Sequence, residues 1–240
     1  MAQYIYGRNT VLSALKQGKV RSLFLTHRFS FEPILKEAKQ AKVPTTYVSE
    51  EELQKMVNGT HQGVVAEIIS YSYASLEELL QRTKKKKMPF LLLLDGIEDP
   101  HNLGAILRSA DAFGVDGIIV KKHGQVPLNA TVAKVSTGAI DFVPVAQVTN
   151  LTTAIETLKK HGFWVVASDG SAKMDYRDVD YCCSIALVVG SEGFGISRLV
   201  LEHADFVTKI DMVGHVNSLN ASVATAIYLS EVHYQRISSK

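Results

Sequence analysis

Residues 90–120 read FLLLLDGIEDPHNLGAILRSADAFGVDGIIV, and this stretch decides the fold. Phe90–Leu94 is the densest apolar run in the chain, and it has only strand length. A helical pattern follows near Leu103–Phe113, with Ile106, Leu107 and Ala110 marking its buried side. Gly117–Val120 is then a second short apolar run bounded by turn residues. Further on, Trp164–Ser168, Ile185–Val189 and Phe206–Ile210 repeat the strand pattern. Between and after them lie helical patterns near Leu151–His161 and Ile196–His203, and a last one from about Leu219 to Gln235. Strands alternating with helices predict an α/β domain over residues 89–240, its mostly parallel sheet covered on both faces. Sheets of this kind bind ligands in crevices at the carboxyl ends of their strands.

Outward from this core, residues 1–70 form a separate small α/β domain. Val11, Leu12 and Leu15 have helical spacing, Leu23–Thr26 reads as a strand, Pro33–Lys42 as a helix and Thr45–Val48 as another strand. Ser49 with Glu52 forms a capping-box pattern opening a helix that ends near Asn58-Gly59, and Val64–Ile69 is β-rich. Residues 71–88 read as a linker: Ser75-Leu-Glu-Glu starts a short helix, and the like-charged run Lys84–Lys87 is expected to be solvated and extended.

The 240 residues are 46% hydrophobic and 21% charged, as in an ordinary globular protein. The net charge of +2 hides an asymmetry. Residues 1–88 carry 14 Lys and Arg against 8 Asp and Glu, whereas residues 89–240 carry 12 against 16. A basic front half suits a polyanion such as nucleic acid, and a solubilising surface accounts for it equally well. Arg8, Arg21, Arg28 and Lys36 are the candidates for RNA contact. Cys182 and Cys183 are neighbours, with neither a disulfide framework nor metal-ligand spacing, so a reducing cytoplasm and no metal are expected. No apolar run approaches the ~18 residues of a membrane span, and Met1-Ala2-Gln3-Tyr4 does not open a secretory signal.

Three segments of the second domain look too constrained for plain scaffold. The first is Asp95-Gly-Ile-Glu98-Asp-Pro-His-Asn102-Leu-Gly104-Ala-Ile-Leu-Arg108, where Asn102 is a candidate helix N-cap and Gly104 allows close approach of a backbone. Arg108 stands at the edge of the buried helix face. The second, Gly190-Ser-Glu192-Gly193-Phe194-Gly195, joins a buried strand to a helix. Its Gly-x-x-Gly-x-Gly order reverses the dinucleotide fingerprint, and no early βαβ unit with the expected acidic residue accompanies it. The third runs Ile210-Asp-Met212-Val-Gly214-His-Val-Asn217-Ser218-Leu219-Asn220-Ala-Ser222. Ser218 and Asn220 there are ordinary caps placed before a helix start rich in small residues.

Together the three resemble the signature motifs of the SpoU–TrmH family of RNA 2′-O-ribose methyltransferases, in the SPOUT superfamily. The resemblance covers essentially the whole chain. The order Asn-Leu-Gly-x-x-x-Arg, Gly-Ser-Glu-Gly, Ser-Leu-Asn-x-Ser is highly specific at these separations. Tyr6-Gly7-Arg8-Asn9-Thr10-Val11 and His61-Gln62-Gly63-Val64-Val65-Ala66 are similar to the family's N-terminal RNA-binding domain, related to a ribosomal-protein fold. That domain points to the branch acting on a guanosine ribose of large-subunit rRNA rather than to the tRNA branch.

The resemblance implies a deep trefoil knot, a homodimer packed through the knotted domain, and S-adenosyl-L-methionine as cofactor. It maps cofactor contacts to Gly190, Ile210 and Leu219, and functional roles to Asn102, Arg108, Glu192, Ser218 and Asn220. Arg108 is placed as an electrostatic stabiliser rather than as the base, because a guanidinium is a poor proton acceptor. Glu192 is expected to orient Asn102 or Arg108, and Ser218 and Asn220 to align the nucleotide. Two positions depart from the family's usual residues, Phe194 and Asn217. A tRNA ribose methyltransferase and a non-catalytic RNA-binding protein of the same fold are the competing readings.

Overall fold

The computed structural model describes residues 3–68, 71–216 and 218–238; Met1, Ala2, Ile69 and Asn217, which the sequence argument used, lie outside them. The chain divides into two compact units, residues 1–72 with 129–131, and residues 73–128 with 132–240.

In the first unit β1 (Gln3–Tyr6) is followed by α1 (Arg8–Lys16), β2 (Val20–Thr26), α2 (Glu32–Gln40), β3 (Thr45–Val48), α3 (Glu50–Met56) and β4 (Val64–Ile68). The sheet order is β1-β4-β2-β3, with β4 antiparallel to both neighbours and β3 parallel to β2. Alternation along β4 sorts the core. Val64 and Ala66 pack with Val11, Leu15, Leu23, Leu25 and Ile34, while Val65 packs on the other face with Leu53 and Val57. The capping box that opens α3 is present: the Glu52 amide donates to Ser49 Oγ at 3.2 Å, and the Ser49 amide to Glu52 Oε2 at 2.8 Å.

The second unit opens with α4 (Leu76–Thr83), β5 (Phe90–Asp95), α5 (Pro100–Ala112), β6 (Gly117–Lys121), α6 (Ala130–Ser136) and β7 (Val145–Val148). It continues through α7 (Leu151–Lys160), β8 (Trp164–Ser168), β9 (Met174–Asp175), β10 (Ile185–Gly190), α8 (Arg198–Glu202), β11 (Phe206–Lys209) and α9 (Ala221–Ser238). Its seven strands take the order β7-β6-β5-β10-β8-β11-β9, and every pairing between them is parallel. The unbroken apolar run of β5 now has its physical reason. Phe90, Leu92 and Leu94 join the core beneath α5 and α9, and Leu91 and Leu93 the core beneath α4 and α7.

The structure differs from the sequence reading at residues 71–88. The short helix forms, but Leu76, Leu79 and Leu80 are buried in the sheet's second core, so α4 is part of the unit and not extended linker. Apolar side chains at helical spacing outweigh the charge of the lysine run that comes after them. Only Lys84–Lys87 keep the expected solvation, with Lys86 hydrogen-bonded to Asp116.

Candidate active site

Strands β5, β10, β8 and β11 are neighbours, and their carboxyl ends bring Asp95, Gly190, Ser168 and Lys209 to one edge of the sheet. A crevice opens there, walled by Val189, Ile210, Met212, Leu219 and Ala224 and rimmed by Asp169, Glu192 and Ser218. Gly190 also lines it.

The chain after β10 turns back on itself at once. The Ser191 amide donates to the Gly195 carbonyl at 3.2 Å and the Gly195 amide to the Ser191 carbonyl at 2.9 Å. Gly195 takes φ +65°, a left-handed conformation that costs glycine little. The fold-back presses backbone onto Gly190, where a Cβ would lie 2.2 Å from the Gly195 carbonyl carbon. No side chain fits at Gly190. Glu192, Gly193 and Phe194 sit at the tip, and Phe194 is 97% exposed.

Glu192 is the junction of a closed polar network. Its Oε1 accepts from Asn102 Nδ2 at 2.9 Å, from the Ala221 amide at 3.2 Å and from Asn220 Nδ2. Asn220 Nδ2 also donates to Asn102 Oδ1 at 2.9 Å, closing the triangle. Asn220 Oδ1 caps α9, accepting from the amides of Ser222 at 3.0 Å and Val223 at 3.2 Å and from Ser222 Oγ at 2.6 Å. The carboxylate thus satisfies the first orphan N–H of α9 and lies at the positive end of that helix dipole.

Asn102 is not the cap the sequence suggested. Asp99 caps α5, accepting from the His101 amide at 2.8 Å, with Pro100 at the first helical position. Pro100 suits the first helical position, where its missing N–H costs nothing, so α5 begins before Asn102. Asn102 therefore falls in the first turn, its amide free to reach Glu192. Gly104 meets its neighbour within the chain: a Cβ there would stand 2.6 Å from Val135 Cβ, so α5 and α6 pack at glycine distance.

Arg108 is not joined to this network. It lies six residues beyond Asn102 on α5, a turn of about 120° away around the helix axis. It is exposed and forms neither a hydrogen bond nor an ion pair among the described residues. Among the described residues Glu192 accepts hydrogen bonds from Asn102 and Asn220 and makes no bond to Arg108. Gly190, Ile210, Leu219, Ser218 and Glu192 all line the one crevice.

Asp95 supports the site from below and was passed over in the sequence, although the first motif begins with it. The carboxylate is 4% exposed, pairs with Lys121 Nζ at 2.7 Å and accepts from the Ser197 amide at 2.8 Å. Burial pushes its pKa up, but the Lys121 ammonium and the Ser197 hydrogen bonds outweigh that and hold it below the ordinary carboxylate value. Asp95 thereby pins the end of β6 and the start of α8 around the turn that carries Glu192. Asp169 and Gly170 were also missed, although a turn following the carboxyl end of a buried parallel strand is a signal to look for. Among the described residues no group of three or more His, Cys, Asp or Glu is placed to hold a metal ion, and no helix is long and apolar enough to cross a membrane.

Residues 89–230 match the family model described as the SpoU rRNA Methylase family, and residues 4–74 match that of RNA 2′-O ribose methyltransferase substrate binding. A protein of Bacillus subtilis, assigned to the TrmH family of tRNA/rRNA methyltransferases, is 45% identical over 238 residues, which is 97% of this chain and 96% of the relative. Among solved structures, the AdoMet-bound rRNA methyltransferase of Sinorhizobium meliloti is similar with a TM-score of 0.65 at 26% identity, covering 96% of this chain and 86% of its own. The TrmH/SpoU tRNA modifying enzyme of A. aeolicus gives a TM-score of 0.60 at 32% identity, covering 68% of this chain and 83% of its own.

Proposed function

This chain belongs to the SpoU rRNA methylase family, and we propose that it moves a methyl group from S-adenosylmethionine to a ribose 2′-hydroxyl of RNA. The observation that carries this reading is the Asn102–Glu192–Asn220 network at the edge of the crevice that Gly190, Ile210 and Leu219 line. The crevice suits the cofactor chemically. Apolar walls are there for a purine, and the Asp169 carboxylate for a cationic group. When bound, the sulfonium cofactor supplies an already activated methyl group, so the protein's share is chiefly positioning.

Glu192 is acceptor-only and holds the amides of Asn102 and Asn220 in one arrangement, which with Ser218 aligns the ribose at the crevice mouth. Arg108 lies outside this network, and its role in this reading, to steady the negative charge that develops on the attacking oxygen and to position the phosphate beside it, rests on the family resemblance. The functional unit in this reading is a homodimer formed through the second unit, with the trefoil knot that the family resemblance implies. It is supported by α9, which leaves Val223, Tyr234 and Ile237 exposed along a single stripe. No metal takes part, and the cytoplasm is the site of action.

Ribosomal RNA is the favoured substrate, a guanosine of the large subunit in particular. The rRNA methyltransferase of S. meliloti is matched over both units, whereas the tRNA enzyme of A. aeolicus matches only about two thirds of the chain. The test is transfer of tritiated methyl from S-adenosylmethionine into rRNA and tRNA from a strain lacking this gene, beside an Arg108→Ala control. Label in rRNA that the control loses is the expected result. Label in tRNA alone would overturn the substrate, and no label in either RNA would overturn the activity.

A further inference from the structure

The turn after β10 also forms one wall of a second, smaller groove. Residues 96–99 and Asn102 face it from one side, and residues 191–194 from the other. Ser191, Glu192 and Ala221 line both hollows, so groove and crevice adjoin at the Glu192 network.

Phe194 has no part in that network. Its ring is 97% exposed, more than that of any other described Phe, Tyr or Trp. Its backbone, by contrast, is tied down. Reciprocal bonds between Ser191 and Gly195 close the turn, and the Phe194 amide donates to Ser191 Oγ at 3.3 Å. A bare ring on a fixed backbone is a preorganised contact surface, because little freedom is left to lose when something covers it.

The rest of the lining selects the occupant. Glu98, Asp99 and Glu192 bring three carboxylates to the groove, and no Lys, Arg or His lines it. Phosphate is repelled from such a place. An apolar protein side chain would match the ring but would desolvate Glu98 without giving it a donor. Glu98 is exposed and makes neither a hydrogen bond nor an ion pair among the described residues, whereas Asp99 already holds the α5 cap and Glu192 the asparagines. A neutral, flat group with N–H donors on its rim satisfies both the ring and the free acceptor. A nucleobase is such a group, and unpaired bases splayed out of the stack are commonly held on aromatic side chains.

We propose that Phe194 is the platform on which the base of the methylated nucleotide stacks, with the N–H edge of that base turned toward Glu98. The inference rests on the reading that the substrate is RNA. It divides the labour at the site: Asn102 and Glu192 meet the ribose where groove and crevice adjoin, and Phe194 fixes the base beyond it.

The test uses the full chain with rRNA, and separately tRNA, from the strain lacking this gene. Phe194→Ala is expected to raise the KM for RNA roughly 10-fold, the usual size of one lost base stack. The fall in kcat should be smaller than that rise, and Phe194→Trp should keep KM near the parent value. Fluorescence reports the contact without relying on activity. Trp164, at the amino end of β8, is the chain's single tryptophan. In the double variant Trp164→Phe, Phe194→Trp the only indole stands at the tip of the turn. RNA should quench it beyond the attenuation seen with the parent's Trp164, and circular dichroism confirms that each variant folds. An indole that stays unquenched with RNA bound, or a Phe194→Ala KM within about twofold of the parent, would overturn the proposal. So would a lower sedimentation mass for Phe194→Ala, which would assign the ring to a contact with a second copy of the chain. Quenching without methyl transfer to either RNA would overturn the activity and keep the base contact; methyl transfer with an unquenched indole would overturn the contact alone.

Discussion

Three hydrogen bonds converge on one oxygen of Glu192, and two of the donors, Asn102 and Asn220, also bond each other. A glutamine at 192 would have the right size but bring an NH2 group into a site built around an acceptor. Glu192→Gln is therefore expected to lower kcat by roughly 10²-fold, the cost of misplacing a reacting group by about an ångström, while cofactor affinity changes little. Equilibrium dialysis against labelled cofactor beside steady-state methyl transfer separates the two quantities. Asp95 makes a prediction about acid stability. Its pKa in the folded protein is held below the ordinary value of 3.8, so its contribution is complete above that pH and fades as pH falls through the lower folded value. Asp95→Asn should lose stability at neutral pH and show a shallower acid limb below about pH 4 when urea midpoints are compared across pH. The sequence displays these residues without showing which of them meet. Asn102 looked like a cap because Asn is a good one, and only the geometry of Asp99-Pro100 reveals that the position was already taken.

Among the elements, α4 and the turn after β10 carry the clearest tests. Leu79 is fully buried and packs where a Cβ at Gly117 would lie 2.7 Å from Leu79 Cδ2. Leu79→Ala is expected to destabilise the second unit by about 2–5 kcal/mol, as removal of a buried leucine usually does. A linker helix would tolerate the change, and thermal denaturation decides between them. Gly190→Ala forces backbone to move, because the atoms that its Cβ meets belong to Gly195 and Ile196. The expected outcome is loss of the thermal shift that S-adenosylmethionine gives the parent protein. Elements with long buried patterns were legible: Phe90–Leu94, Gly117–Val120, Trp164–Ser168 and Ile185–Val189 all begin strands of the sheet. Those the sequence did not reveal were β1, α6, β7 and β9, each only two to seven residues long. Short elements carry too few turns of either period to stand out, and β7 forms because β6 offers it an edge.

At the scale of the molecule, the site is an outcome of topology. Glu192 and Asn102 are 90 residues apart in sequence and Asn220 and Asn102 are 118 apart, yet β5 and β10 pair directly and α5 packs against α9. The alternation of strand and helix announces a parallel sheet with a crevice at its carboxyl edge. It does not announce the strand order that places β10 between β5 and β8, since that order is set by which faces each helix can cover. The stripe of Val223, Tyr234 and Ile237 makes an assembly prediction: sedimentation at micromolar concentration should give twice the chain's 26.3 kDa mass, and Tyr234→Glu should shift it toward the monomer. The central claim is that the methyl group goes to a ribose oxygen. Alkaline hydrolysis of the labelled RNA tests it most directly, because cleavage requires a free 2′-hydroxyl. Label recovered in alkali-stable dinucleotides is the predicted result; label recovered in mononucleotides, as a methylated base would give, would contradict the account.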